Sequence, residues 1–377
     1  MPDPAPTAPP VVDIADPLAT PSPAPGAPPP AYDAILVVSF GGPEGMDDVL
    51  PFLERVTAGR GVPRARLDEV AEHYAHFGGV SPINDQNRAL VAALRAELDR
   101  RGPRLPVYWG NRNWHPLLTD TMRRMADDGV RHAAAFVTSA YGSYSGCRQY
   151  RGDIAAAQAA VGAAAPAVDK LRAFYNHPGF IAPMVHRLAA ALDGLGAERR
   201  DAAAVLFSAH SIPTAMAATS RYAEQLAEAS RLVLAGAGRR EAPRLVYQSR
   251  SGPPSQPWLE PDVADAVTVL AADGVRDVVV VPIGFVSDHI EVRYDLDVEL
   301  AAHCDALGVG LTRVPTVGDD PAFVAMIRDL VVERMTPGAD RPALGRLGPS
   351  HDVCPPHCCA YTPGAAAARP AADVATP

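Results

Sequence analysis

Four stretches of the chain gather residue types that could do chemistry on a ligand or hold a metal. His210 stands in Phe207-Ser208-Ala209-His210-Ser211-Ile212-Pro213, just past a continuous apolar run. An imidazole takes a proton near neutral pH and also ligates divalent iron. A hydrogen-bonded loop histidine is the plain alternative. Glu291, Asp295 and Glu299 are spaced i, i+4 and i+8, which on a helix over 291–299 makes one ridge. Like charges at that spacing cost a helix about 0.2–0.5 kcal/mol per pair, so the ridge invites cations. A solvated acidic face is the competing reading. Cys354, Cys358 and Cys359 cluster near the C-terminus, while Cys147 and Cys304 stand alone. In a reducing cytosol such a cluster points to a metal or iron–sulfur site and not to a disulfide. Cys304 reads as a buried structural thiol. Ser39-Phe40-Gly41-Gly42-Pro43-Glu44 is glycine-rich, and its backbone can approach a flat ligand closely. It could equally be an ordinary strand-to-helix turn. Neither a P-loop nor the dinucleotide glycine fingerprint follows this strand.

The elements that must position these residues are legible from hydrophobic pattern. Continuous apolar runs at Ala34–Ser39, Ala133–Thr138, Ala202–Phe207 and Asp277–Pro282 read as buried parallel strands. Helical stretches at Gln86–Leu98, Leu118–Asp127, Tyr222–Ala235 and Pro261–Ala272 alternate with them, which implies an α/β fold. The halves echo each other. Asp128-Gly129-Val130-Arg131 and Asp273-Gly274-Val275-Arg276 each precede a strand, and Arg104–Tyr108 resembles Arg244–Tyr247. The expectation is two similar α/β domains with parallel sheets facing a central cleft, the site lying at the carboxyl ends of the strands. The divisions are a Pro/Ala-rich disordered arm over 1–31, halves over 32–170 and 171–340, and a cysteine-bearing tail over 341–377. The tail has few apolar residues with which to hold itself in place.

A net charge of −9 with no basic block argues against nucleic acid as a partner. No apolar run reaches the roughly 20 residues of a transmembrane helix. The N-terminus lacks the basic start and apolar stretch of a signal peptide. A cytoplasmic protein is expected.

The segments FGGPE, FGGVSPIN, FSAHSIP, YQSRSGPPSQPWLEP and FVSDHIEVRYDLD resemble the ferrochelatase family, in order and in spacing, over about Tyr32 to Met335. The resemblance implies two Rossmann-like domains of the chelatase type with a porphyrin between them. It implies insertion of Fe²⁺ with loss of two protons. His210 then matches the family's catalytic histidine and Glu291 its partner. Asp295 and Glu299 match a path for metal or protons, Ser81 a porphyrin contact, and Tyr144 a residue near the macrocycle's edge. Phe40, Trp258 and Phe285 would suit a flat ring. Some relatives carry Tyr or Met where this chain has Phe40, which offers iron no ligand atom. Some members bind a [2Fe–2S] cluster through one mid-chain and three C-terminal cysteines, a plan that Cys147, Cys354, Cys358 and Cys359 match. A four-cysteine zinc site is the alternative. Coproporphyrin III is the expected substrate. Protoporphyrin IX, a cobalt chelatase and a non-catalytic haem carrier are the other readings. No haem-accepting partner is named by the sequence.

Overall fold

The computed structural model describes residues 29–59, 61–355 and 357–361. Most of the expected N-terminal arm and all of the Ala/Pro-rich end after Pro363 lie outside them. Strands β1 (Ala34–Ser39), β2 (Val107–Asn111), β3 (His132–Val137) and β4 (Ala167–Lys170) form one sheet in the order β2-β1-β3-β4. Strands β5 (Ala204–His210), β6 (Arg244–Gln248), β7 (Asp277–Val281) and β8 (Gly310–Arg313) form a second, in the equivalent order β6-β5-β7-β8. Every pairing is parallel. β1 and β7 are buried along their whole length, which is why they read as unbroken apolar runs.

The echo between the halves has a local cause. Helices Leu118–Asp127 and Val263–Ala272 both end on a glycine in the left-handed region, Gly129 at φ +81° and Gly274 at φ +89°. In each, the next residue's N–H bonds back into the last turn: Val130 to Met125 and Val275 to Leu270, both 2.9 Å. A side chain at that backbone would be strained, so the same glycine recurs at the same corner.

Each sheet buries both faces. Leu36, Val38, Ala133 and Ala135 pack with Met122 and Ile154 on one outer face. Leu206, Val278 and Val280 pack with Val267, Leu296 and Leu300 on the other. The inner faces, with Ile35, Val37, Phe136, Val205, Phe207 and Val281, share a single core. Hydrogen bonds between the halves include two near the site. Tyr141 Oη donates to the Ile283 carbonyl at 2.9 Å, and the Asp288 N–H donates to Gln86 Oε1 at 2.8 Å. Helices Met46–Val56 and Arg64–Ala75 reach from the first half to cover the second, burying Phe52 and Tyr74 with Ile290.

Two expectations change. β5 starts two residues later and runs through His210, because helix Ala197–Ala202 takes up Ala202 and His210 pairs with Gln248. The acidic helix is not continuous. α-Helix Ile290–Tyr294 gives way to a π-helical turn over Asp295–Leu300 before α-helix Ala301–Leu307 resumes. The wider i→i+5 turn breaks the four-residue stacking that the ridge assumed.

Candidate active site

The carboxyl ends of β1, β5, β6 and β7 converge on one groove. His210 is the last residue of β5. Its Nδ1–H donates to the Ser211 carbonyl, which leaves the Nε2 lone pair of the neutral ring facing outward. Glu291 Oε2 lies 3.6 Å from that Nε2 and 3.9 Å from His289 Nδ1. The His210 side chain is about a third exposed (32%) and that of Glu291 about half (52%), so both meet solvent in the groove. The backbone on each side is fixed: Tyr222 Oη donates to the His210 carbonyl at 3.0 Å, and Gln248 Nε2 to the Glu291 carbonyl at 2.8 Å.

One helical turn on, Asp295 accepts a hydrogen bond from Ser249 Oγ. Burial pushes its carboxyl up to about 7, against the Ser249 bond, and the nearby Glu291 and Glu299 carboxylates push the same way. Ser249 holds φ +60°, a left-handed backbone uncommon for serine, to make this contact. Glu299 is exposed at the far end. Asp297 on the same turn is held instead by Arg313, which also grips Asp288 at 3.2 Å, and by Arg293 at 2.9 Å. His289 is partly buried, and its desolvation lowers its pKa, with Glu291 opposing the shift.

Just past the end of β1, Phe40 is 37% exposed, with the Arg112 guanidinium 5.7 Å from its ring centroid and Phe52 edge-on at 6.2 Å. The glycine pair behind it is sterically required. A Cβ on Gly41 would lie 2.8 Å from Asn111 Cβ, and one on Gly42 2.6 Å from Ser81 Cβ. Ser81 is therefore buried behind this turn, its N–H donating to the Pro43 carbonyl at 2.9 Å. Trp258 is half-buried, bridged to Pro213 beside the His210 loop, with its indole N–H buried and unpartnered. Phe285 is buried against the second sheet. Tyr144 turns its ring edge-on to Tyr361 of the tail at 5.8 Å.

A base and a carboxylate 3.6 Å apart, with an adjoining carboxyl pushed up to about 7, can take protons from a ligand and hold a divalent cation. The family model described as Ferrochelatase matches residues 32–335, which contain all of these groups. The chain belongs to the ferrochelatase family. A protein of Rhodopirellula baltica named Ferrochelatase is 55% identical over 335 residues, 89% of this chain and 95% of that one. Coproporphyrin III ferrochelatases of Frankia alni and Streptomyces griseus are 56% and 52% identical, each covering 87% or more of both chains.

This ferrochelatase carries a second constellation at its tail. Cys147 sits in a π-helical turn over Tyr144–Arg148 and its thiol donates to Cys354, which, with burial, raises its pKa well above the usual thiol range. Cys358 Sγ lies 3.7 Å from Cys359 Sγ and 3.6 Å from His351 Nε2. These residues line a cavity of about 270 Å³ with Lys170 and Arg151. Soft donors at such separations fit a metal or cluster. The tail is not dependent on that bridge alone. Asn176 Nδ2 donates to the carbonyls of Leu344 and Gly348, the Leu344 N–H to the Asn176 carbonyl, and the Arg346 N–H to Glu228. Polar contacts supply what its few apolar residues do not. Cys304 is fully buried in the second outer core, as expected.

Sequence reading missed several neighbours of the site. Gln248 and Ser249 lie inside a motif it noted, where their side-chain types already suggested hydrogen bonds. Tyr74 is buried beside Glu291, and His73, partly buried, feels Glu299 and stacks on Tyr294 at 3.9 Å. They sit on a helix far away in sequence, and no local pattern marks them. Among the described residues no helix is long and apolar enough to cross a membrane.

Proposed function

We propose that this ferrochelatase inserts Fe²⁺ into coproporphyrin III, giving iron coproporphyrin III in haem biosynthesis. The reading rests on the His210–Glu291 pair at 3.6 Å, on the exposed ring of Phe40 at the end of β1, and on relatives above 50% identity named for that substrate. Insertion replaces two pyrrole N–H bonds with iron–nitrogen bonds, so two protons leave and no electrons move. His210 Nε2 is the first acceptor, because its Nδ1–H is committed to Ser211. Glu291 draws the cation in and takes the proton from His210. Asp295, poised near 7, passes it outward toward Glu299. Phe40 and Trp258 bear on the faces of the macrocycle, and Tyr144 and Ser81 act at its edge. Phe40 leaves the metal without an axial ligand from that loop. Residues 32–170 and 171–340 act as two halves and 341–377 as a tail. A reducing cytoplasm suits five free thiols.

The tail fits a [2Fe–2S] cluster held by Cys147, Cys354 and Cys358, with the fourth donor drawn from Cys359 or His351. When bound, such a cluster supplies a covalent tie between tail and body and a centre sensitive to oxidants. None of its donors belongs to the motifs that carry His210 and Glu291, so its role is in stability or sensing and not in insertion.

The test is anaerobic mixing of the protein with Fe²⁺ and either coproporphyrin III or protoporphyrin IX, followed by visible absorption and by proton release in weak buffer. The expected result is loss of the free-base bands with two protons per porphyrin, much faster with coproporphyrin. Preference for protoporphyrin IX overturns the substrate. A parallel mixing with Co²⁺ and a reduced tetrapyrrole that turns over faster points to a cobalt chelatase, and bands that shift without proton release point to a carrier.

A further inference from the structure

Two asparagines lie under the turn that carries Phe40. Asn84 is the second residue of helix Ile83–Arg101 and Asn111 the last of β2, and both are fully buried. Their amide orientations are fixed by a chain of donors. The Trp109 indole can only donate, and its Nε1–H bonds Asn111 Oδ1 at 2.9 Å. Asn111 Nδ2 must then face acceptors, and it donates to the His115 carbonyl at 3.1 Å and to Asn84 Oδ1 at 3.2 Å. That leaves Asn84 Nδ2 as the donor toward the turn. It reaches the Gly42 carbonyl at 3.1 Å and Glu44 Oε1 at 2.8 Å, with the His115 carbonyl at 3.2 Å. All three acceptors come from segments distant in sequence. The turn rests directly on this pair: Gly41 holds φ +79° against Asn111, where a Cβ would clash. The same end of β2 holds Phe40 itself. The Arg112 N–H donates to the Ser39 carbonyl at 3.0 Å, and the Asn113 N–H to the Phe40 carbonyl at 3.1 Å. A buried amide network in which each member is paired favours one geometry, because any shift leaves a polar group unpaired.

We propose that Asn84 is a positioning residue for insertion: its amide, oriented by Asn111, sets where the Phe40 turn sits and through it how tightly the porphyrin is held. The proposal rests on Phe40 bearing on the macrocycle, and the experiment separates the two. Asn84→Ala, Phe40→Ala and the double variant are compared with wild type by fluorescence titration with coproporphyrin III and by steady-state insertion. Thermal unfolding checks that each is folded at the assay temperature. Loss of the bond to Gly42 should weaken porphyrin binding on the order of tenfold in Asn84→Ala. The kcat at saturating porphyrin and the KM for Fe²⁺ should stay within about twofold of wild type, since the His210–Glu291 pair is untouched. Added to Phe40→Ala, the same substitution should weaken binding by less than about twofold more, because residues that act through one another are not additive. A merely structural role would lower affinity by the same factor in both backgrounds, and that result overturns the proposal while leaving Phe40 as a porphyrin contact. Unchanged affinity in Asn84→Ala overturns it as well. If Phe40→Ala binds porphyrin like wild type, the ring is not a contact, and the proposal falls with the reading beneath it. Where Asn84→Ala does not fold, Asn84→Ser, a smaller change to the same network, takes its place in the cycle.

Discussion

At His210 the Ser211 carbonyl occupies Nδ1–H, so the neutral ring presents Nε2 to the space shared with Glu291. General acid–base groups of this kind contribute on the order of 10²–10⁴-fold to rate. Glu291→Gln is expected to lower kcat about 100-fold or more with porphyrin affinity nearly unchanged, as read by fluorescence titration. Asp295→Asn should cost less and flatten the pH profile near 7, because the group whose carboxyl is pushed up to about 7 is gone. Glu299→Gln should raise the KM for iron and leave kcat close to wild type. Equal losses at all three positions would contradict a graded path. Asp295 also makes a stability prediction. Its folded pKa of about 7 exceeds the ordinary value of 3.8, so between these the folded chain holds a proton that the unfolded chain has released. Stability from this group is present at low pH and falls as pH rises through that window. Asp295→Asn removes the fall. Relative to wild type it should gain on the order of 1–3 kcal/mol between pH 4 and pH 8, after allowance for partial exposure; denaturant melts at the two pH values check this. The single residues were largely legible in the sequence. His210, Glu291 and Asp295 announced themselves by type and spacing. What their surroundings do to them was not legible, since the Ser249 bond and the burial of Asp295 arise only when β6 lies against the π-helical turn.

The element that sequence reading most simplified is the one after β7. A pattern of carboxylates every four residues matches a continuous α-helix, and nothing local distinguishes that from α-helix Ile290–Tyr294 followed by a wider turn. The turn is specified by tertiary partners. Arg313 on β8 grips Asp297 on the turn and Asp288 on the preceding loop, and Thr316 Oγ1 donates to Asp288 at 2.9 Å. Removing the cation leaves two mostly buried carboxylates facing each other. Arg313→Ala is expected to lower unfolding free energy by about 3 kcal/mol and to slow insertion while porphyrin still binds. Arg313→Lys should recover part of both. A variant that unfolds like wild type would remove Arg313 from this role. The strands, by contrast, were readable because β1 and β7 are buried on both faces and carry no alternation to misjudge. The short edge strands β4 and β8 are partly exposed and carry too few apolar residues to stand out.

On the scale of the whole molecule, a common core joins two sheets of equivalent topology, and the groove survives at the strand ends where that core stops. The repeat was visible in the sequence through its glycine corners; the shared core was not, because it depends on which helix faces meet. The tail is fastened to the second half by Asn176 and Glu228 before any metal is considered. Cys147→Ser is therefore expected to bleach the protein while residues 341–348 stay protected from limited proteolysis and only the segment beyond His351 becomes cleavable. Cleavage throughout the tail would mean that the metal, not the hydrogen bonds, docks it. The central claim is that insertion happens between Phe40 and the His210–Glu291 pair. Its most direct test is a single turnover: protein preloaded with coproporphyrin III is mixed with Fe²⁺ without oxygen, for wild type and His210→Ala, while visible bands and protons are followed together. Wild type should convert fully and release two protons per ring, and His210→Ala should keep the bound free-base spectrum and release none over the same time. Conversion of both at similar rates would contradict the account.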